Sequence, residues 1–109
     1  MISMNMCQMY LGKLKTNELT VGYTVPSTNA QTVIKDLAIY NEGTDDVTVE
    51  VFINDVTFVK QTIGAEDSLF AEREWTMVLN PGDTISFRAS KPDVINIIMS
   101  GAETAIVED

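Results

Sequence analysis

The chain has 109 residues, of which 45% are apolar and 21% charged, the composition of one globular domain rather than of a disordered segment or a two-domain enzyme. Sixteen acidic residues against seven basic ones give a net charge of −9. That sign repels phosphate backbones and anionic lipid headgroups and argues against nucleic-acid and membrane-surface partners.

The first ten residues hold Met1, Met4, Met6 and Met9 but no Lys or Arg, and Ser3, Asn5, Cys7 and Gln8 interrupt their apolar run. This is not a signal-peptide core, and no stretch approaches the roughly 18 apolar residues of a membrane span, so folding in a cytosol is expected. Residues 1–17 are expected to form a Met-rich arm or edge strand, 18–103 the folded domain and 104–109 an acidic tail. Methionine adapts to many shapes, which makes the arm a candidate partner-binding strip.

From residue 18 onward apolar residues recur with period two. Val47, Val49, Val51 and Ile53 alternate with Thr48, Glu50, Phe52 and Asn54; the rhythm returns at Trp75, Met77 and Leu79, at Ile85, Phe87 and Ala89, and at Ile95, Ile97 and Met99. No dozen residues carry an apolar stripe at helical spacing. Polar turns separate the runs: Asn41–Asp46, Asn54-Asp55, Gly64–Ser68, Asn80-Pro81-Gly82-Asp83 and Ser90–Asp93. The pattern predicts an all-β, antiparallel, jelly-roll-like sandwich of about seven or eight strands, at about 10–14, 18–25, 32–41, 46–54, 56–63, 69–79, 83–90 and 94–103.

A two-residue turn at Asn54-Asp55 sets Ile53 opposite Val56 and Val51 opposite Phe58, all four facing the core, with Phe52 beside Thr57 on the other side. Leu37, Ile39, Val47, Val49, Trp75, Met77, Leu79, Ile85, Phe87, Ile95, Ile97 and Met99 complete the expected core. Some strands are apolar on both faces, more than one two-layer sandwich buries. Ile34, Ala38, Tyr40, Phe52, Val94 and Ile98, with Met4 and Met6, are therefore the expected contacts of a homo-oligomer, unless the chain's own terminal segments cover them.

Chemistry is thinly represented. Glu72 and Glu74 share a strand face roughly 6–7 Å apart, a separation compatible with glycoside hydrolysis, but Glu72-Arg73-Glu74 is also what a solvated face looks like. Glu42, Asp45 and Asp46 lack the spacing of a calcium loop, and Glu66-Asp67 likewise reads as a solvated turn. Histidine is absent, so Cys7 has no imidazole base and no serine triad can form; zinc would need mostly carboxylates. No spacing pairs a serine with Lys13, Lys15, Lys35, Lys60 or Lys91. The glycines are scattered singly and build no phosphate loop. Trp75 as a sugar platform competes with its place in a core alternation, and Tyr10, Tyr23 and Tyr40 are dispersed. The expectation is a protein without enzyme activity, metal or cofactor.

The stretch TVIKDLAIYNEGTDDVTVEVFIND, and later WTMVLNPGDTISFRAS followed by INIIMSG, resemble a strand–loop–hairpin pattern of small bacteriophage structural proteins. The resemblance covers about residues 20–103. It is to accessory proteins encoded around the tail genes of siphophages infecting Gram-positive bacteria, Bacillus phages in particular. It implies a virion or tail-tip role, a sandwich related to the shoulder module of phage receptor-binding proteins, trimerisation and docking of other tail proteins. It transfers no catalytic residue. Only Thr104–Asp109 follow the sandwich, with no neck helix or head domain, so a connector or accessory module fits better than a receptor binder. A carbohydrate-binding sandwich using Phe52 with Tyr23 or Tyr40 is the alternative function.

Overall fold

The structure, a computed structural model, describes residues 2–26, 31–71 and 77–106, and the side chains of 6–26, 32–69 and 78–103. It is all-β among these residues, with strands β1 (Ile2–Lys13), β2 (Thr20–Thr24), β3 (Gln31–Asn41), β4 (Val47–Ile53), β5 (Val56–Ile63), β6 (Ser68–Ala71), β7 (Met77–Leu79), β8 (Thr84–Ala89) and β9 (Ile95–Ile106). Two antiparallel sheets face each other. One has the order β1-β9-β3-β6, with β7 also paired to β3; the other has the order β2-β8-β4-β5. Counting β6 and β7 as two parts of one rank, this is the strand order of a jelly roll.

The core comes from strict alternation. Val47, Val49 and Val51 of β4, Ile85, Phe87 and Ala89 of β8, Ile95, Ile97 and Met99 of β9, and Leu37 and Ile39 of β3 are all buried, as are Leu79, Ile63 and Leu14. Ile53 and Phe58 pack against this cluster while partly exposed. The Tyr10 and Phe87 rings meet at 5.3 Å, tilted by 56°, a favourable aromatic geometry. Gly22 lets β2 approach that ring, for a Cβ there would lie 2.3 Å from Phe87 Cε2. At the Asn80–Asp83 turn Gly82 has φ 89°, and the Asp83 N–H donates to the Asn80 carbonyl at 3.0 Å, the geometry Pro-Gly at the central positions favours.

Four single-residue bulges break the alternation, at Met9 of β1, Gly22 of β2, Lys35 of β3 and Phe58 of β5. They account for the main corrections to the sequence reading. Strict alternation puts Ile34 on the face of Ala38 and Tyr40. The extra residue Lys35 turns it inward instead, and it is 0% exposed. Phe52 does pair with Thr57, but Val51 pairs with Val59, because Phe58 is the additional residue. Val56, expected in the core, is exposed at the hairpin tip. Val94 precedes β9 and packs, half-buried, against the core at the loop end, so it is not on an outer sheet face. The strand expected at about 69–79 is seen as β6 and β7. Glu72, Arg73, Glu74 and Trp75 lie outside the described residues, as do the side chains of Met77 and Met4.

Candidate interaction surface

The register places the outward side chains of the five-stranded sheet in rows. Gln8, Ser100 and Asp36 form a polar row. On one side of it run Met6, the buried Ala102, the half-buried Val33 and Val78; on the other run Leu11, Ile98 and Ala38. Beyond these come Lys13, Asn96, Tyr40 and Ser68. Met6 is 70% and Leu11 67% exposed, and Val78, Ile98 and Tyr40 are also exposed. Ala38, small between larger neighbours, leaves a groove of about 380 Å³ walled by Leu11, Tyr40 and Ile98. Lys13, Ser68 and Asn96 supply its polar lining.

On the opposite outer face Val21 is exposed, and several side chains pair with one another. Arg88 donates to Glu50 Oε1 from Nη2 at 2.9 Å and from Nε at 3.1 Å, and its guanidinium lies 5.3 Å from the centroid of the Phe52 ring. The Thr48 and Thr62 hydroxyls are 3.0 Å apart across β4 and β5. Phe52 is thus half-buried under Arg88 on one face, while Ala38, Tyr40, Ile98 and Met6 lie on the other. The expected interface residues do not form one patch: Ala38, Tyr40, Ile98 and Met6 share a face, and Phe52, Ile34 and Val94 are elsewhere. Leu11, Val33 and Val78 belong to the surface but escaped the sequence reading. Met9 interrupts β1, and no local cue marks which residues of β1 and β3 share a face.

Asn41 organises the loops beside this groove. Its buried amide Nδ2 donates to the carbonyls of Asp45 (2.8 Å), Ile63 (3.0 Å) and Gly64 (3.3 Å), and its Oδ1 accepts from the Gly43 N–H at 2.9 Å. Lys13 pairs with Glu42, and Lys91 with Asp45 at 2.7 Å; each lysine holds its carboxyl below the ordinary range. Two of the three acids considered for calcium are therefore occupied by lysines. Among the described residues no group of three or more His, Cys, Asp or Glu is placed to hold a metal.

At the other end of the sandwich the Tyr23 hydroxyl donates to Glu103. Burial, then this carboxylate, pushes the phenol above its ordinary value. Burial, with Glu103 adding to it, also pushes the Cys7 thiol up, keeping it neutral. Tyr23 faces the core opposite Ile85, so Tyr23, Tyr40 and Phe52 stand on three different surfaces and build no common sugar platform. No helix among the described residues is long and apolar enough to cross a membrane.

No protein-family model and no curated protein matches this sequence. Solved structures do match its fold. It is similar to a Bacillus endospore appendage protein, from a family of disulfide-linked pili, at 9% identity and TM-score 0.56, covering 97% of this chain and 89% of that one. The extra small virus of the giant freshwater prawn Macrobrachium rosenbergii gives 11% identity and TM-score 0.49, covering 99% and 80%. The IBDV T13 viral particle gives 10% and 0.45, covering 95% of this chain but 31% of that one. At 9% identity the likeness to the appendage protein shows the fold alone, an antiparallel β-sandwich.

Proposed function

We propose that this chain is a non-enzymatic structural subunit that works through contacts with other protein chains. The observation that carries this reading is the outer face of the five-stranded sheet. Exposed Leu11 and Ile98 wall a groove of about 380 Å³ there, and exposed Met6 and Val78 lie in a second row across the polar one, on a protein whose net charge is −9. Apolar surface arranged in this way marks a site of association. The fold it shares with the endospore appendage protein supports an assembling role, and the sequence resemblance supports a phage tail or virion accessory module as the setting. Homo-oligomerisation is the simplest form of the contact, with a trimer suggested by that resemblance.

The contact would be non-covalent. Cys7 is the single cysteine, half-buried and protonated, and a subunit tied to two neighbours by disulfides needs two thiols. Sedimentation over a concentration series tests the reading. A mass above 12.0 kDa, rising with concentration and unchanged by reductant, is expected. Burying what remains exposed of Ile98 is worth about 1 kcal/mol per copy, and a buried Asp costs more. Ile98→Asp should therefore weaken association at least about tenfold while leaving the circular dichroism unchanged. A 12.0 kDa species that persists to about 100 µM would refute the homo-oligomer.

A further inference from the structure

The four sheet edges are unequal. β2 has five residues and a bulge at Gly22. β6 and β7 share one edge, and the residues between them lie outside the described ones. β5 has eight, with a bulge at Phe58 and Lys60 along it. Shortness, bulges and lysines are how edge strands are kept from pairing with other chains. β1 has little of this protection. It has twelve residues, its first charged side chain is Lys13, and its register with β9 runs unbroken from Ile2 to Gln8 before the bulge at Met9. Among the described residues β9 is the strand that pairs with it, so its other side is open.

We infer that β1 is a pairing edge, and that its occupant is β1 of a second copy, antiparallel, joining two five-stranded sheets into one. This rests on the homo-oligomeric reading above, names the partner, and gives a two-fold pair in place of the trimer that the resemblance suggests. Three features select the second copy. A two-fold axis brings a strand against itself, which punishes any charge opposite its own symmetry mate; Ile2–Gly12 carries no charged side chain. Against the five residues of β2 and the eight of β5, the twelve of β1 are better matched by a second β1. The pairing also sets the Met6 and Leu11 rows of two copies on one continuous outer surface, extending the apolar face already described.

Hydrogen exchange of wild-type protein across the concentration series tests the edge apart from the face. In an antiparallel edge strand alternate N–H groups point away from the neighbour, so about half of the β1 amides should exchange freely in dilute solution. They should gain at least about tenfold protection as the oligomer forms. Gln8→Lys, at an exposed position outside the apolar rows, should abolish that gain with the fold intact, whereas Ile98→Asp should reduce the mass and spare it. An oligomer whose β1 amides stay half open overturns this inference and leaves the assembly reading standing. A monomer at every concentration overturns both. Full β1 protection in the dilute monomer shows the edge covered by its own chain and also overturns it.

Discussion

Replacing Asn41 with alanine removes the amide that joins two loops, the one after β3 and the one after β5. Of its four hydrogen bonds the one to the Ile63 carbonyl is fully buried; those to Asp45, Gly64 and Gly43 are partly so. A buried group left without a partner costs about 1–3 kcal/mol, and an ordinary bond is worth about half to one and a half. Counting the 3.3 Å contact to Gly64 as shared, the loss is about 3–4 kcal/mol, against the roughly 5–15 kcal/mol that holds a domain of this size together. Asn41→Asp sharpens the test, because a carboxylate offers no N–H and confronts three carbonyl oxygens. Its folded pKa must lie above the unfolded value, so folding favours the protonated acid. Relative to wild type the Asp variant therefore loses stability as pH rises through about 4. Urea unfolding at pH 3.5 and 7, followed by far-ultraviolet circular dichroism, reads both effects as midpoint shifts. An Asn41→Ala cost below about 1 kcal/mol, or an Asp variant whose deficit is the same at both pH values, would refute the role given to this amide.

Two further outcomes follow from the interior. Gly22→Ala drives a Cβ to 2.3 Å from Phe87, a ring that is 0% exposed and braced by Tyr10. It should cost about 1–3 kcal/mol, read from the urea midpoint at unchanged slope; a shift within error would show that the ring turns aside. Tyr23, whose phenol is held above its ordinary value of 10.0, keeps its proton when folded at pH values where the unfolded chain loses it. Wild-type stability should fall above about pH 10, and Tyr23→Phe should narrow its gap to wild type there; parallel profiles at pH 8 and 10.5 would contradict the Glu103 contact.

The strands that alternate strictly were legible in the sequence. Val47 to Val51, Ile85 with Phe87, and Ile95 to Met99 are valine, isoleucine and phenylalanine at period two, and the core is built from them. For β1 the sequence marks a strand at about 10–14 and leaves 1–17 as an arm or an edge strand, since Met, Gln, Asn and Ser carry a weak strand signal and Met9 breaks the rhythm. Alternation alone puts Ile34 on the outer face, because a bulge leaves no mark in a propensity. Asn41 reads locally as the start of a polar loop; that it bonds to Ile63 and Gly64, more than twenty residues on, is a property of the folded topology. The Tyr23–Glu103 contact spans eighty residues and has no local signature. The surface was legible as a surplus of apolar strand faces but not as a position, because which face each residue joins depends on the bulges.

The bulges at Met9 and Lys35 flank β9 at neighbouring positions, one against Met99 and the other between Gly101 and Ser100. Bulges bend and over-twist the strands that carry them, so the outer sheet is creased along the polar row of Gln8, Ser100 and Asp36. A rigid partner lying flat on one slope is lifted off the other. On the assembly reading above, the apolar face therefore divides into two contact areas with separate directions.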